Sequence, residues 1–278
     1  MMQVILGIDI GTSATKIVAI DEKQTMIAAD RTASSDPVSV CESSVMQLAS
    51  RGIFAVGDIA KIMLTGVGAS FITEDILGIP TFHVTEFESQ GRGGLYLGGK
   101  SRAVVCSMGT GTTLIEASPE GFYHRGGSAV GGGTLTGLCS RLFGVSDPAK
   151  IEALADEGDL HRVDWHMGEI NRDAIATLPD FATASNLGKM AADATDADVA
   201  LGIYNMIYQT AGVMAALVCN AAGIHDVVVI GSMAEVRHAG VLLGQVGQLY
   251  NINFVTSKMP VYATAVGAAM AGVSQETD

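Results

Sequence analysis

The sequence predicts an α/β fold of two lobes, because one structural device occurs twice along the chain. An apolar strand, a glycine turn and a second strand occupy residues 2–21, and the same order recurs at residues 103–117. Alternating helix and strand patterns follow both openings. With 48% hydrophobic residues among 278, the chain can bury two cores that share a cleft. We therefore expect a duplicated architecture.

The first half is predicted to alternate strands with helices after an opening hairpin. Its elements are strands at 2–10, 15–21, 25–29, 61–64 and 82–84, and helices at 37–50, 69–77 and from Glu86 through 96. We place an N-terminal lobe at residues 1–84 and expect the C-terminal helix at 261–278 to complete it.

The second half repeats this outline and forms the C-terminal lobe at residues 85–260. Its elements are strands at 103–108, 112–117, 121–125, 226–231 and 252–255, and helices at 135–142, 148–155, 181–192, 199–223, a segment ending at 250, and 262–272. Glycine clusters mark most of the boundaries.

The charge balance restricts the partners. The net charge is −13 with only 16 lysines and arginines, so nucleic acid and anionic membrane surfaces, which need clustered cations, are not expected. A bound phosphate would then need backbone N–H groups, a few cations and a divalent metal. The N-terminus shows no basic region before its apolar run, which indicates a first strand and no signal peptide. We expect a cytoplasmic protein.

Cysteine spacing and one long apolar segment agree with that expectation. The four cysteines contain no CxxC pair and lie among apolar or small neighbours, which indicates buried free thiols. Residues 199–224 lack charge and are long enough to span a membrane. Asn205, Gln209 and Asn220 interrupt this segment, so we interpret it as a helix buried in the core or at a subunit interface.

The first glycine turn carries residue types suited to phosphate. An apolar strand ends at Asp9, and Gly11, Thr12 and Ser13 form the turn before Lys16 on the returning strand. Backbone N–H groups of such a turn can face phosphate oxygens without obstruction by side chains. Asp9 can hold Mg²⁺ directly or through water, and Lys16 can add positive charge. An ordinary hairpin with a surface lysine is the alternative, which the recurrence of the turn disfavours.

Two further segments in the second half have the same character. They consist of Gly109, Thr110, Gly111 and Thr112 at the second turn, and Gly131, Gly132, Gly133 and Thr134 at a helix start. Glycines at the positive end of a helix let the backbone approach a ligand closely. Close helix packing or a mobile loop are the alternatives for the glycine run.

Glu86 is an isolated carboxylate between these turns, which suggests a general base for phosphoryl transfer. A carboxylate at a helix N-terminus is also favourable through the helix dipole alone, and this second interpretation applies equally to Glu88.

Residues 94–101 fit the P-loop pattern G-x-x-x-x-G-K-[ST]. A helix precedes them and a strand follows, the reverse of the P-loop order, so the match is interpreted as chance. The six histidines form no HxH or HExxH group and predict no zinc site.

Taken together, these motifs resemble those of the type II pantothenate kinases, a family of the actin-like (ribonuclease H-like) superfamily of acetate and sugar kinases. The likeness covers nearly the whole chain. It is carried by Gly7-Ile8-Asp9-Ile10-Gly11, the Glu86-Phe87-Glu88 helix, Met108-Gly109-Thr110-Gly111-Thr112, the run from Gly126-Gly127-Ser128 to Gly137-Leu138, Ala184-Ser185-Asn186-Leu187-Gly188 and Val229-Ile230-Gly231-Ser232.

The resemblance implies a duplicated actin-like kinase fold with an ATP cleft between its lobes. It also implies that ATP and Mg²⁺ are used to phosphorylate pantothenate in the first step of coenzyme A synthesis, with Glu86 as general base on the acceptor hydroxyl. Asp9 and Lys16 would serve the metal and phosphates, residues 109–112 a second phosphate turn and residues 131–133 the nucleotide. A homodimer and regulation by CoA or acyl-CoA are implied in the same way.

Two positions depart from the family pattern. Thr12 stands where the second glycine of Asp-x-Gly-Gly-Thr is usual. The family's acceptor-binding arginine falls on His124, with Arg125 displaced by one residue before Gly126 and Gly127. Successive strand residues point to opposite faces, so either side chain can contact the acceptor depending on a local bulge.

Three other functions remain open at this point. A sugar kinase or another small-molecule kinase of the same superfold is the first. An ATPase activator of the dehydratase-activator type is the second, and it would need cysteines placed to ligate an iron–sulfur cluster between subunits. A sensor that binds acyl-CoA without turnover is the third.

Overall fold

The computed structural model describes residues 3–33, 36–170 and 178–274. The chain divides into two compact units. One consists of Met1–Val105, Ile115–His124 and Ser257–Asp278, and the other of Cys106–Leu114 and Arg125–Thr256.

The strands form two five-stranded sheets and one two-stranded sheet. They are β1 Val4–Ile10, β2 Ala14–Asp21, β3 Met26–Ala33, β4 Ile59–Thr65, β5 Thr81–His83, β6 Ala103–Met108, β7 Thr112–Ser118, β8 Gly121–Ser128, β9 Trp165–His166, β10 Thr183–Ser185, β11 Asp226–Ile230 and β12 Asn253–Thr256. The sheet orders are β3-β2-β1-β4-β5, β10-β9 and β12-β11-β6-β7-β8.

The α-helices account for most of the remaining regular structure. They are α1 Pro37–Ala49, α2 Glu86–Gly98, α3 Gly132–Phe143, α4 Pro148–Ala155, α5 Met167–Ile170, α6 Asp196–Ala222, α7 Ala239–Tyr250 and α8 Ala263–Ser274. The strand, turn, strand openings predicted for both halves are confirmed as β1-β2 and β6-β7.

In the first unit, the central strand β1 pairs antiparallel with β2 and parallel with β4. Its side chains alternate between two apolar cores, as a pleated strand requires. Leu6 and Ile8 pack in the core that contains Val45 of α1, whereas Ile5 packs in the core that contains Val266 of α8. The sheet is therefore covered by helices on both faces, which holds the end of β1 in a fixed place.

Helix α2 packs against α8 at unusually short range within this unit. A Cβ built on Gly93 would lie 1.7 Å from the Ala263 carbonyl oxygen, and one on Gly267 would lie 1.7 Å from that of Ser89. Only glycine at both positions lets the two backbones approach so closely. This packing sets the position of the N-terminal turn of α2.

The second unit contains the long helix α6. It begins at the capping box formed by Thr195 and Asp198 and ends at Gly223, which has a φ of 63°. The predicted long helix is thus confirmed. By length and hydropathy alone it could cross a membrane, but 56% of its most apolar window is buried inside the protein, as expected of a core helix. The hydroxyl of Tyr208 donates 2.6 Å to the Met233 carbonyl.

Two predicted helices are wrong. Residues 69–77 form only the end of a short 3-10 helix, Val67–Phe71, and the chain then turns through Leu77 with a φ of 52°. Ile72 and Ile76 are four residues apart, as on one face of a helix, but here they fill the core beside β4 from a non-helical segment.

The second error lies at residues 181–192. This segment contains β10, paired antiparallel with β9, and positive φ angles at Leu187 and Met190 end any regular structure. Leu187 donates its backbone N–H to the buried Asp164 carboxylate at 2.7 Å, so a distant side chain determines the backbone path here.

Candidate functional site

The Asp9 carboxylate lies at the end of β1, opposite Lys16 on β2. The antiparallel register places the two residues directly across from each other, and Lys16 Nζ lies 3.3 Å from Asp9 Oδ2. Both side chains are largely buried, at 12% exposure for Asp9 and 14% for Lys16. Burial raises the pKa of Asp9, and the Lys16 ammonium opposes that rise. A largely buried carboxylate and a cation thus lie side by side next to the turn.

The turn between these strands is tight. The backbone N–H of Gly11 donates to the Ala14 carbonyl at 3.2 Å, and Thr12 and Ser13 at its tip are exposed to solvent. A Cβ at Gly11 would lie 3.2 Å from Lys16 Nζ, so glycine leaves room for the ammonium. The polar tip is therefore exposed to solvent, and the Lys16 ammonium lies beside the turn.

Glu86 is the first residue of α2. The Thr85 side chain caps this helix by accepting the Glu88 backbone N–H at 3.3 Å. Gln90 Nε2, one turn along, donates to Glu86 Oε1 at 2.9 Å. Partial burial and the Asp9 carboxylate raise the pKa of Glu86, while Lys16 lowers it. The Glu86 carboxylate therefore belongs to the same electrostatic cluster as Asp9 and Lys16, and its raised pKa suits a proton acceptor.

Glu88 differs from Glu86 in its surroundings. Its Oε1 accepts from Arg92 Nε at 2.8 Å, an ion pair between residues four apart on one helix face. Arg92 also lies over the Phe122 ring, 4.9 Å from its centroid. Glu88 therefore has a cationic partner on its own helix, whereas Glu86 accepts a hydrogen bond from the neutral amide of Gln90.

His124 stacks on Phe87, the residue after Glu86. The ring centroids are 4.5 Å apart and the planes differ by 4°. The next residue, Arg125, is exposed and opens the Arg125–Thr256 stretch of the second unit. Gly126 has a φ of 140°, a backbone conformation that only glycine adopts readily. The backbone of β8 is therefore irregular at Gly126, directly after Arg125, and the strand continues from Gly127 to Ser128.

The second turn and the glycine helix start are joined to each other within the second unit. Gly132 N–H donates to the Gly109 carbonyl at 2.8 Å, and Gly133 N–H donates to that of Thr110 at 2.9 Å. The Gly131 N–H donates to Thr134 Oγ1 at 3.3 Å. These three N–H groups already have partners, and a Cβ on Gly131 or Gly133 would lie within 3 Å of Thr110, so close packing against the second turn requires the glycines.

The remaining residues of the second turn are held firmly. Gly109 N–H donates to the Gly111 carbonyl at 2.9 Å, and the buried Thr112 hydroxyl donates to the Val130 carbonyl at 2.8 Å. The structure thus brings Asp9, Lys16, Glu86 and His124 into one compact unit. It places the second turn, the glycine helix start and Arg125 in the other.

Sequence reasoning missed Gln90 and Phe87. Gln90 is buried at 5% exposure, and its position four residues after Glu86 on a predicted helix is the signal that identifies such a partner. The stacking of Phe87 on His124 has no comparable local signal, because the two residues lie on different elements.

The order of elements predicted around the P-loop match at residues 94–101 is confirmed. Helix α2 precedes residues 99–101 and strand β6 follows them, which is the reverse of the P-loop order.

The chain is similar to known proteins in both sequence and fold. A model of the family described as Fumble matches residues 102–251. The type II pantothenate kinase of Staphylococcus aureus strain USA300 is 27% identical over 256 residues, which cover 89% of this chain and 90% of that protein.

Two solved structures are similar over almost their full lengths. The (R)-2-hydroxyglutaryl-CoA dehydratase component A of Acidaminococcus fermentans has a TM-score of 0.72 and 18% identity, covering 99% of this chain and 100% of that one. A ROK family glucokinase from Streptomyces griseus, in complex with glucose and AMPPNP, has a TM-score of 0.62 and 10% identity, covering 96% and 98%. These likenesses confirm the predicted duplicated actin-like α/β fold.

Proposed function

Since this chain belongs to the Fumble family, the family of the type II pantothenate kinases, we propose that it transfers the γ-phosphoryl group of ATP to the primary hydroxyl of pantothenate. Membership of this family supports ATP-dependent kinase activity in general. The choice of pantothenate and of Glu86 as general base is our proposal.

The observation that supports this function best is the cluster of Glu86, Asp9 and Lys16 in one unit. Glu86 takes the hydroxyl proton of the acceptor as the oxygen attacks the γ-phosphorus, and ADP leaves on the opposite side. Lys16 offsets negative charge on the phosphates. The hydrogen bond from Gln90 holds the Glu86 carboxylate in position.

The site fits a Mg²⁺ ion. Mg²⁺ is commonly held by one or two carboxylates together with substrate phosphates, and Asp9 is a nine-tenths buried carboxylate at the phosphate turn. When bound, the ion neutralises charge that develops on the transferred group. Asp9 is the residue that would hold it, directly or through water.

The remaining positions follow from the same proposal. Gly11, Thr12 and Ser13 would contact phosphate at the first turn, and residues 109–112 at the second. Residues 131–134 would lie beside the nucleotide. We assign Arg125 as the residue that binds the acceptor, with His124 as the alternative. Gly126 and Gly127 give the backbone the freedom that this contact needs.

Further properties of the protein are inferred from its family. We expect a cytoplasmic homodimer, with α6 as a contributor to the subunit interface, and CoA or its thioesters as regulators. An N-terminal lobe at residues 1–84 with the C-terminal helix, and a C-terminal lobe at residues 85–260, remain our proposal for the two halves, although the first compact unit extends to Val105 and includes Ile115–His124.

One alternative, an activator ATPase, is disfavoured by the cysteines. A cluster between subunits needs thiolates at the surface, whereas Cys41, Cys106, Cys139 and Cys219 are all at 0% exposure. Burial raises the pKa of the Cys41, Cys106 and Cys219 thiols to about 12 and that of Cys139 to about 11. These are properties of inert structural thiols.

A coupled ADP-release assay tests the proposed function. The purified protein is given ATP and Mg²⁺ with pantothenate, N-acetylglucosamine, glucose or no acceptor. We expect ADP release that depends on pantothenate alone. Release that depends on a sugar would replace the proposal with a sugar kinase, and equal release without acceptor would replace it with an ATPase.

A further inference from the structure

Two histidines and a glutamate converge in the second unit, away from the turns described above. His161 lies in a 3-10 turn, Leu160–Arg162, His166 ends β9, and Glu169 lies in α5. One ligand atom from each lies within 4.8 Å of the others. Their spacing in sequence, four and two intervening residues, is neither HxH nor HExxH, which is why those patterns predicted no zinc site.

The separations are close to those of a metal centre. Glu169 Oε1 lies 3.8 Å from His161 Nδ1, and Glu169 Oε2 lies 3.7 Å from His166 Nδ1. Ligands bound to a tetrahedral Zn²⁺ at about 2.1 Å are about 3.4 Å apart. The two histidine–carboxylate separations therefore exceed this value by a few tenths of an ångström.

His166 gives independent support for a ligand. Its side chain is only 8% exposed, and its Nδ1 has no hydrogen-bond partner among the described residues. Buried polar atoms are normally paired, because an unpaired one loses its hydration without compensation. This nitrogen lies 3.7 Å from Glu169 Oε2, and a metal ion between the two atoms would satisfy it.

The carboxylate is held by neighbours of the kind that orient metal ligands. Glu169 Oε1 accepts from Lys189 Nζ at 2.6 Å, and Oε2 accepts from the backbone N–H of His166 at 3.2 Å. These two hydrogen bonds fix the orientation of the carboxylate beside the two imidazoles.

We propose that His161, His166 and Glu169 bind a divalent transition-metal ion, with Zn²⁺ as the preferred occupant. Two imidazoles and one carboxylate suit Zn²⁺ and disfavour Mg²⁺, which takes oxygen ligands. Both histidines line a cavity of about 370 Å³ that also contains Asp159, Phe181 and Gln245. A fourth ligand would be water or a small anion. The proposal is independent of the kinase reaction.

The test measures metal binding directly, without nucleotide and in excess Mg²⁺ so that the Asp9 site is not titrated. Protein is loaded with Zn²⁺, passed through gel filtration and analysed for zinc, and Co²⁺ is titrated while visible absorption is recorded. We expect about one Zn²⁺ per chain and visible Co²⁺ bands of a low-symmetry site.

Two variants localise the ion. His161→Ala and Glu169→Gln should each weaken binding about tenfold or more. His161 is 65% exposed, so its removal does not endanger the fold. His225→Ala, at another exposed histidine, and Asp9→Asn serve as matched controls and should bind Zn²⁺ as the wild type does.

Zinc should also raise the melting temperature of the wild type more than that of Glu169→Gln, since an ion that binds only the folded state stabilises it. Failure of the wild type to retain zinc would overturn the proposal. Equal retention by the His161→Ala/Glu169→Gln double variant would do the same, because the ion would then be bound elsewhere.

Discussion

Gln90 Nε2 donates a 2.9 Å hydrogen bond to Oε1 of Glu86, one helical turn away. Gln90 is buried, and its own Oε1 has no hydrogen-bond partner among the described residues. The bond from Nε2 to Glu86 holds the amide beside the carboxylate. The bond favours the ionised form of Glu86 and restricts its rotamers. Gln90 is thus a positioning residue for the proposed general base.

Gln90→Leu is expected to lower kcat about tenfold while leaving the KM for ATP nearly unchanged. Losing the donor raises the pKa of Glu86 further, so the acid limb of the kcat profile should move to higher pH. A purely structural role would not shift that limb. Arg92→Gln, which breaks the Glu88 pair on the same helix, is the control and should keep the wild-type profile.

Glu86→Gln is expected to lower kcat by about two orders of magnitude or more, because the general base is lost. Affinity for ATP should change little. In the wild type, the raised pKa of Glu86 predicts that activity falls with acidification at a pH above the ordinary glutamate range. Glu88→Gln is the matched control, since Glu88 pairs with Arg92, and turnover of Glu86→Gln equal to that control would refute the assignment.

Asp9→Asn is expected to weaken the dependence on Mg²⁺ and nearly abolish turnover with the fold intact. The raised pKa of Asp9 also has a consequence for stability. Because the folded state holds the proton more tightly, Asp9 stabilises the protein below its unfolded pKa, and this contribution is lost as pH rises through the folded value.

The difference in unfolding free energy between wild type and Asp9→Asn should therefore fall as pH rises. Thermal denaturation from about pH 4 to about pH 8 measures this difference. Superimposable Mg²⁺ titrations of the two proteins would make Asp9 a structural residue.

Arg125→Ala is expected to raise the KM for pantothenate about tenfold or more, since a charged hydrogen bond to a carboxylate contributes about 1.5 to 3 kcal/mol. The positive φ of Gly126 gives the backbone freedom that such a contact needs. His124 is already stacked on Phe87. An unchanged KM in Arg125→Ala together with an impaired His124→Ala would transfer the role to His124.

Gly93→Ala is expected to destabilise the protein by about 1 to 3 kcal/mol or more, because the new methyl group would collide with the α8 backbone. The displaced α2 should also lower kcat by moving Glu86. The control is Gly137→Ala, on α3, where a Cβ meets nothing within 4 Å. That change should stabilise the helix by up to about 1 kcal/mol. Chemical denaturation of both variants measures the difference, and equal stabilities would contradict the tight packing.

The sequence by itself determined the elements whose signals are local. The apolar run ending at Asp9, the turn at Gly11 and the returning strand predict the hairpin that places Lys16 opposite Asp9, because strand register follows from a short turn. Helix α6 was likewise predictable from its long uncharged run, and Gly223 ends it as expected. The two-lobed α/β fold follows from repetition of such signals.

Only the tertiary structure decided what depends on partners distant in sequence. The apolar residues at 69–77 and 181–192 suggest helices, but the β4 core and the Asp164 carboxylate fix other backbone paths. The approach of His161, His166 and Glu169 also depends on how three short elements fold together. Local propensity contributes fractions of a kcal/mol per residue, so packing and buried hydrogen bonds that form only in the folded chain override it.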